Sequence, residues 1–371
     1  MDLCPGHDKI DGSPFRKTGS EKLAQKVQFR KFRSERQASS SMILRQISNF
    51  NIRQIAESGQ CFRIMQEPAG SQNLRPKAAP AAAQSFRSET EPACGQPDTV
   101  WRMISGSHYL WLLENENGVY FFCPEEEFPF WENYFDLAAD YGQFLSSVQS
   151  GDPYLKKAAE YGSGIRILRQ DLWEMIITFV ISQQKTIPAI RSLVEALAKA
   201  YGQKLAIPKE CQELPFSSDC RDMDCGFFYA FPTPEELAQA SLSELQSMKL
   251  GYRAKYIKRL CEDACSGALD LAHLSRLGYQ DAMDYLQGFY GIGEKVANCI
   301  CLFVLHHIDA FPVDTWIRKI LLREYAPKSR CAESVPQARL CQELVQENFS
   351  CYKGFAGIMQ QYIFYYERSH S

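Results

Sequence analysis

The chain has 371 residues, 45% of them apolar, which is enough for two or three domains with proper cores. A formal charge of −3 and a pI near 6.1 exclude a globally basic nucleic-acid coat, although a local basic face needs only a patch. No signal sequence or membrane span is expected from the pattern, and the fourteen cysteines are scattered without a CxxC. The expectation is a cytoplasmic protein with reduced thiols and no metal or cofactor.

Residues 1–41 lack any apolar period and carry eight Lys/Arg against two Asp/Glu between Arg16 and Arg36, which predicts a disordered basic tail. From Met42 the pattern turns β-like. "TVWRMI", "HYLWLL" and "VYFFC" read as strands, the last two joined across "ENENG" with Asn117-Gly118 as the turn signal. A Pro/Ala/Ser-rich run at about 67–98 cannot build a core and is expected to be a floppy insert between strands. Residues 42–135 are thus expected to form an antiparallel β-domain.

From 136 to 371 the pattern is helical. "DLWEMIITFVIS" and "PAIRSLVEALAKAYG" predict consecutive helices, with Pro188 suited to a first turn. "PTPEELAQASLSELQSM" carries helix starts at Thr233 and Ser241, and helical patterns continue to "GIMQQYIFYYER". The expected class is α+β, an N-terminal antiparallel β-domain packed on an all-helical body.

The densest chemistry lies in "GFYGIGEKVANCICLFVLHHIDAFPVDTW", residues 288–316. Gly291 and Gly293 sit between two helical patterns, where they serve equally well as a plain αα corner or as a phosphate-binding turn at a helix N-terminus. Lys295 falls in the first turn of an apolar helix. There the dipole and partial burial disfavour its charge, as an amine nucleophile requires; the alternative is a surface lysine with a snorkelling stem. Cys299 shares its face four residues on. Asp314 precedes "TWIRKILL" as an ordinary N-cap, which would keep its carboxylate ionised and rigid. Gln360 and Phe364 also share a helix face, as a polar rim residue over an aromatic.

With those residues quoted, the chain from about Met42 onward resembles the helix-hairpin-helix DNA glycosylases, in their 8-oxoguanine glycosylase/lyase branch. The hairpin falls at about 281–306. The resemblance implies that Lys295 and Asp314 are catalytic and that Gly291 and Gly293 grip a DNA phosphate. It places Cys299 and Phe364 on the two faces of the damaged base and Gln360 on its edge. "LGYRAKY" resembles the wedge loop, so Tyr252 would fill the gap left by a flipped base and Arg253 would bond the orphaned cytosine. "SGQCFR" resembles the motif whose glycine carbonyl, Gly59 here, accepts from N7–H of 8-oxoguanine, where guanine presents an acceptor.

Two departures stand out. In "ISQQKTIPAIR" Gln184 occupies the position of a frequent asparagine and Ala189 that of a frequent arginine, so the opposite base loses contacts. Trp316 stands where a histidine is frequent. The implied function is excision of an oxidised purine from duplex DNA by attack of Lys295 on C1′, followed by β-elimination, in a monomer. The hairpin carbonyls are implied to hold a monovalent cation. "SQQ" also resembles the alkylated-purine glycosylases, which is one alternative; a non-enzymatic hairpin DNA-binding protein is the other.

Overall fold

Five antiparallel strands form the first layer, in the spatial order β1-β5-β4-β3-β2: Met42–Arg45 (β1), Ile64–Glu67 (β2), Val100–Ser105 (β3), His108–Asn115 (β4) and Gly118–Phe122 (β5). The computed structural model describes residues 42–67, 99–212, 226–329 and 334–371, so the expected tail and insert lie outside the described residues, apart from Glu67 at the insert's first edge. Alternation puts the two sides of each strand in different cores. Trp101, Met103, Leu110, Leu112 and Phe121 pack one way against Ile52, Ile55 and Trp131, while Val100, Ile104, Tyr109, Trp111 and Leu113 pack the other way against Phe228 and Cys211. A two-stranded ribbon, Lys204–Ala206 (β6) with Phe227–Tyr229 (β7), supplies Phe228 to that second face.

The β4–β5 hairpin turns one residue earlier than the Asn117-Gly118 signal suggests. Asn115 pairs with Gly118, so Glu116 and Asn117 make the turn. Gly118 instead opens β5 at φ +126°, where a Cβ would come within 2.7 Å of the Arg45 carbonyl. "CFRI" contributes to a strand only from Ile64.

A short helix that the pattern did not announce, Ile52–Glu57 (α1), bridges the layers. Asn51 Oδ1 caps it by accepting from Gln54 N–H at 2.9 Å, and Glu114 Oε2 accepts from Ile52 N–H at 2.8 Å. Six residues are too few for a 3.6-residue period to be read.

The helical body follows the sequence closely. Leu172–Ser182 (α2) starts at its cap Asp171 and buries every residue from Trp173 to Ile181, which makes it the central helix. Ile187–Tyr201 (α3) carries Pro188 in its first turn. Thr233 and Ser241 each form a capping box with the glutamate three residues on, Glu236 and Glu244. Beyond them run Arg253–Cys265 (α4), Tyr279–Gln287 (α5), Glu294–Phe303 (α6), Thr315–Ile320 (α7) and Ala356–Ser369 (α8). Among the described residues no helix is long and apolar enough to cross a membrane, and Cys61, Cys299 and Cys301 are free thiols.

Candidate active site

The site is built from the turn between α5 and α6. Gly288 closes α5. Gly291 sits at φ +95°, and a Cβ there would meet Tyr256 Cγ at 2.4 Å, so conformation and packing both demand glycine. Gly293 is the N-cap of α6 in an extended conformation, with no side-chain cap and open space around it. The first N–H groups of α6 are therefore left facing outward, as an anion site at a helix N-terminus requires. Gly291 O is already engaged, accepting from Gln183 Nε2 at 3.0 Å.

Lys295 lies in the first turn of α6, half-buried, and Cys299 lies one turn on and fully buried. Burial pushes the Cys299 thiol up. The Lys295 ammonium and its hydrogen bond pull it down, and the Asp314 carboxylate pushes it up again, so all three groups share one spot. Asp314 caps α7: its Oδ1 accepts from Trp316 N–H at 2.9 Å and Ile317 N–H at 2.8 Å. Both bonds fall on one oxygen, leaving Oδ2 free of the helix.

Lys295, Cys299 and Asp314 line a cleft of about 880 Å³, together with Gly59, Gln184, Gln360 and Phe364. Gly59 lies at φ +82°, and a Cβ on it would come within 3.1 Å of Phe364 Cε1. Gln360 is 4% exposed; its Nε2 donates to Pro312 O at 3.3 Å, and among the described residues its buried Oε1 has no partner. A buried orphaned acceptor is costly, and in this cleft it asks for a ligand donor. Among the described residues no three His, Cys, Asp or Glu side chains converge as a metal would need.

The "LGYRAKY" loop stands beside the hairpin. Lys249 at φ +63° and Gly251 at φ +60° make it a sharp corner that leaves Tyr252 43% exposed. Tyr252 packs edge-on against Tyr256 at 5.6 Å, and Tyr256 against the exposed Tyr290 at 4.7 Å. Arg253 turns inward. It is 5% exposed, with Nε donating to Gln183 O at 2.9 Å, Nη2 to the same oxygen and Nη1 to Leu250 O at 3.3 Å. Two of its five N–H groups are thus spent fastening the loop to the α2–α3 corner and a third closes the loop on itself, so two remain. That corner holds Gln184 in the left-handed region at φ +52°, exposed, while the adjacent Gln183 makes the ties.

Sequence reasoning missed Gln183, Arg191, Gln361 and Arg368. Arg368 had a signal, since it continues the Gln360–Phe364 face at four-residue spacing and also lines the cleft. The other three act through backbone carbonyls, which residue types do not reveal.

Comparison with known proteins agrees with this fold. Residues 42–176 match the 8-oxoguanine DNA glycosylase N-terminal domain, and residues 177–347 match the HhH-GPD superfamily of base excision DNA repair proteins. The N-glycosylase/DNA lyase of Saccharomyces cerevisiae is 31% identical over 173 residues, covering 44% of this chain and 42% of that protein. The N-glycosylase/DNA lyase OGG1 of Arabidopsis thaliana is 30% identical over 226 residues, covering 60% and 57%. The match therefore spans about half the length of these relatives. The 8-oxoguanine glycosylase/lyase of Clostridium acetobutylicum, solved with DNA containing cytosine opposite 8-oxoguanine, superposes with a TM-score of 0.68 at 28% identity, over 89% of this chain and 98% of that one. Two adjoining domain matches, an α+β fold shared along its length and a hairpin set beside a cleft lead to one conclusion: the chain belongs to the HhH-GPD superfamily of base excision DNA repair proteins, in its 8-oxoguanine DNA glycosylase branch.

Proposed function

We propose that the protein excises 8-oxoguanine from duplex DNA and then nicks the strand. The observation that carries this is the orphaned acceptor Gln360 Oε1 in a cleft that also holds Lys295 and Asp314. An acceptor at that depth suits a base edge that donates, as guanine-type N1–H and N2–H do, and disfavours the acceptor N1 of adenine. Cys299 below and Phe364 above give the base two faces to lie between.

In the proposed reaction the neutral amine of Lys295 attacks C1′ as the bond from C1′ to N9 breaks, and the base leaves with that electron pair. Asp314 offsets the positive charge developing on the sugar and takes a proton from the amine. Opening of the sugar ring yields a Schiff base on Lys295, and β-elimination then breaks the 3′ C–O bond. The open N–H groups at Gly293 hold the DNA backbone, and Tyr252 fills the vacated stack. Contact with the opposite base falls to the exposed Gln184 and to the two N–H groups that Arg253 does not spend on backbone carbonyls. The same reading makes the protein a monomer acting in the cytoplasm.

The test is excision from duplexes carrying 8-oxoguanine, 3-methyladenine or an undamaged base, with borohydride trapping. Excision of 8-oxoguanine with a trapped adduct supports the proposal. Excision of 3-methyladenine alone moves the substrate class, and binding without excision makes the protein a DNA-binding module.

A further inference from the structure

The carbonyls that lead into Gly59 are each held by a side chain from elsewhere. Arg191 Nη2, from α3, donates to Ala56 O at 3.1 Å. Arg368 Nη1, from α8, donates to Glu57 O at 2.6 Å, and Gln361 Nε2, from the same helix, donates to Ser58 O at 2.5 Å. On the far side, Gln170 Nε2 donates to Gln60 O at 2.8 Å and reaches on to Phe303 O, at the end of α6, at 3.2 Å. The Gln60 side chain is itself buried and pinned, donating to Ser58 Oγ and Arg166 O and accepting from Leu168 N–H, each at 2.9 Å. Of the carbonyls from 56 to 60, that of Gly59 is the one with no hydrogen-bond partner among the described residues, and Gly59 lines the cleft.

Part of this is ordinary chemistry. The last carbonyls of α1 have no helical donor, and cations are favourable at that end of a helix. What an ordinary cap does not call for is two arginines at one place. Burial draws the Arg368 pKa down and the nearby Arg191 charge draws it further, with Glu57 opposing. Gln361 is 1% exposed, and it uses its amide donor on this loop instead of the cleft.

We propose that Arg191, Gln361 and Arg368 are positioning residues that hold the backbone of residues 56–58 so that the Gly59 carbonyl is presented, unpartnered and fixed, to N7–H of the damaged base. The inference rests on the reading of Gly59 as the group that tells 8-oxoguanine from guanine. Because Gln361 and Arg368 lie on the same helix as Gln360 and Phe364, one rigid element sets both the carbonyl and the groups on the base edge and face. Gln170 ties the same loop to the helix that carries Lys295. Recognition and attack are thereby placed on one frame.

The test uses the full chain with Gln361→Leu, which removes the donor at similar volume, and Arg368→Met, which keeps the stem. Three quantities are read in folded variants: single-turnover excision of 8-oxoguanine opposite cytosine, incision at an abasic site, and the ratio of affinities for duplexes with 8-oxoguanine and guanine. The expected result is about a 10-fold or greater loss in excision and in the affinity ratio, since a misplaced carbonyl forfeits one hydrogen bond and its discrimination. Abasic-site incision should stay near the wild-type rate, because no base is read in that reaction, and Arg368→Lys should recover part of the loss. If Gln361→Leu does not fold, Arg368→Met, at the partly exposed rim, decides the matter. A wild-type protein that discriminates beside folded variants that discriminate equally overturns the clamp alone. A wild-type protein that binds both duplexes alike overturns the reading of Gly59 and the clamp with it.

Discussion

Gly59 and Phe364 stand so close that a single methyl group on Gly59 would come within 3.1 Å of the Phe364 ring. The contact joins the end of a short helix in the β-layer to the middle of the C-terminal helix, at the place where a base would be read. Gly59→Ala should therefore act twice, by straining a backbone held at φ +82° at a cost of about 1–2 kcal/mol and by pushing the ring. The expected outcome is a folded protein with excision of 8-oxoguanine reduced at least ~10-fold and abasic-site incision retained. Equal losses in both assays would mean that the substitution disturbs the lysine and not the base.

The two roles of Asp314 can be separated. Asp314→Asn keeps an oxygen for Trp316 N–H and Ile317 N–H but removes the charge, whereas Asp314→Ala removes both. The Asn variant should melt close to the wild-type temperature and excise ~10²-fold more slowly. The Ala variant should be slower still and lose a further ~1 kcal/mol of stability from the missing cap. An Asn variant with undiminished rate would remove the carboxylate from the chemistry.

Lys295→Gln should abolish both excision and the borohydride-trapped adduct while leaving affinity for damaged DNA nearly intact, because phosphate contacts supply most of that affinity. A gel of trapped complexes and a binding isotherm read the two quantities. Retained trapping would place the nucleophile elsewhere, and excision without trapping would point to an activated water.

Arg253 carries a structural task that the sequence does not announce. Arg253→Ala should cost about 2–4 kcal/mol, since it strips three hydrogen bonds from the buried carbonyls of Leu250 and Gln183. With Ala189 lacking a guanidinium, discrimination among C, T, G and A opposite 8-oxoguanine should be modest in the parent and nearly absent in the variant. Excision rates opposite each base decide it; a variant as selective as its parent would assign the opposite base to other groups.

Stability should fall as pH rises through the weakly acidic range, because of Glu174. Burial pushes its carboxyl up to about 7 from a reference of 4.5, and Arg63, whose Nη1 lies 4.0 Å away without a hydrogen bond, pulls it down only in part. Glu195 holds the other side of that guanidinium at 2.7 Å. A carboxyl whose folded pKa is raised binds its proton better when folded. The contribution is therefore complete below about 4.5 and is lost as pH climbs to about 7, up to ~3 kcal/mol in all. Glu174→Gln should flatten the melting temperature between pH 5 and 8, and a wild-type-like slope in that variant would locate the titration in another group.

Much of this architecture was legible in the residues. Thr233 and Ser241 announced their helices because a capping box is a local pattern, and Asp171 before the apolar "LWEMIITFVIS" did the same for α2. The strands were legible because both faces of the sheet are buried, which makes "HYLWLL" a run of aromatic and aliphatic residues after its first position. Lys295, Cys299 and Asp314 could be named through the family resemblance, since helical spacing and a cap motif alone leave a surface lysine and an ordinary N-cap open. What escaped was what depends on backbone carbonyls and distant partners. Arg253 looks like a free donor in sequence and is buried in the fold, and nothing in "MQQY" tells that Gln361 turns to Ser58 while Gln360 turns to Pro312. Asn117-Gly118 misplaced a turn by one residue because Gly118 was answering to the Arg45 carbonyl of a neighbouring strand.

The packing of Tyr256 on Gly291 has an evolutionary corollary. The same ring, on α4, touches both Tyr252 and Tyr290, so four positions on that helix, its leading loop and the hairpin turn form a single unit of inheritance. Any side chain at 291 would evict Tyr256, and the displaced ring would carry Tyr252 with it. Among descendants of this sequence, an aromatic at 256 and glycine at 291 must therefore persist together or be exchanged together.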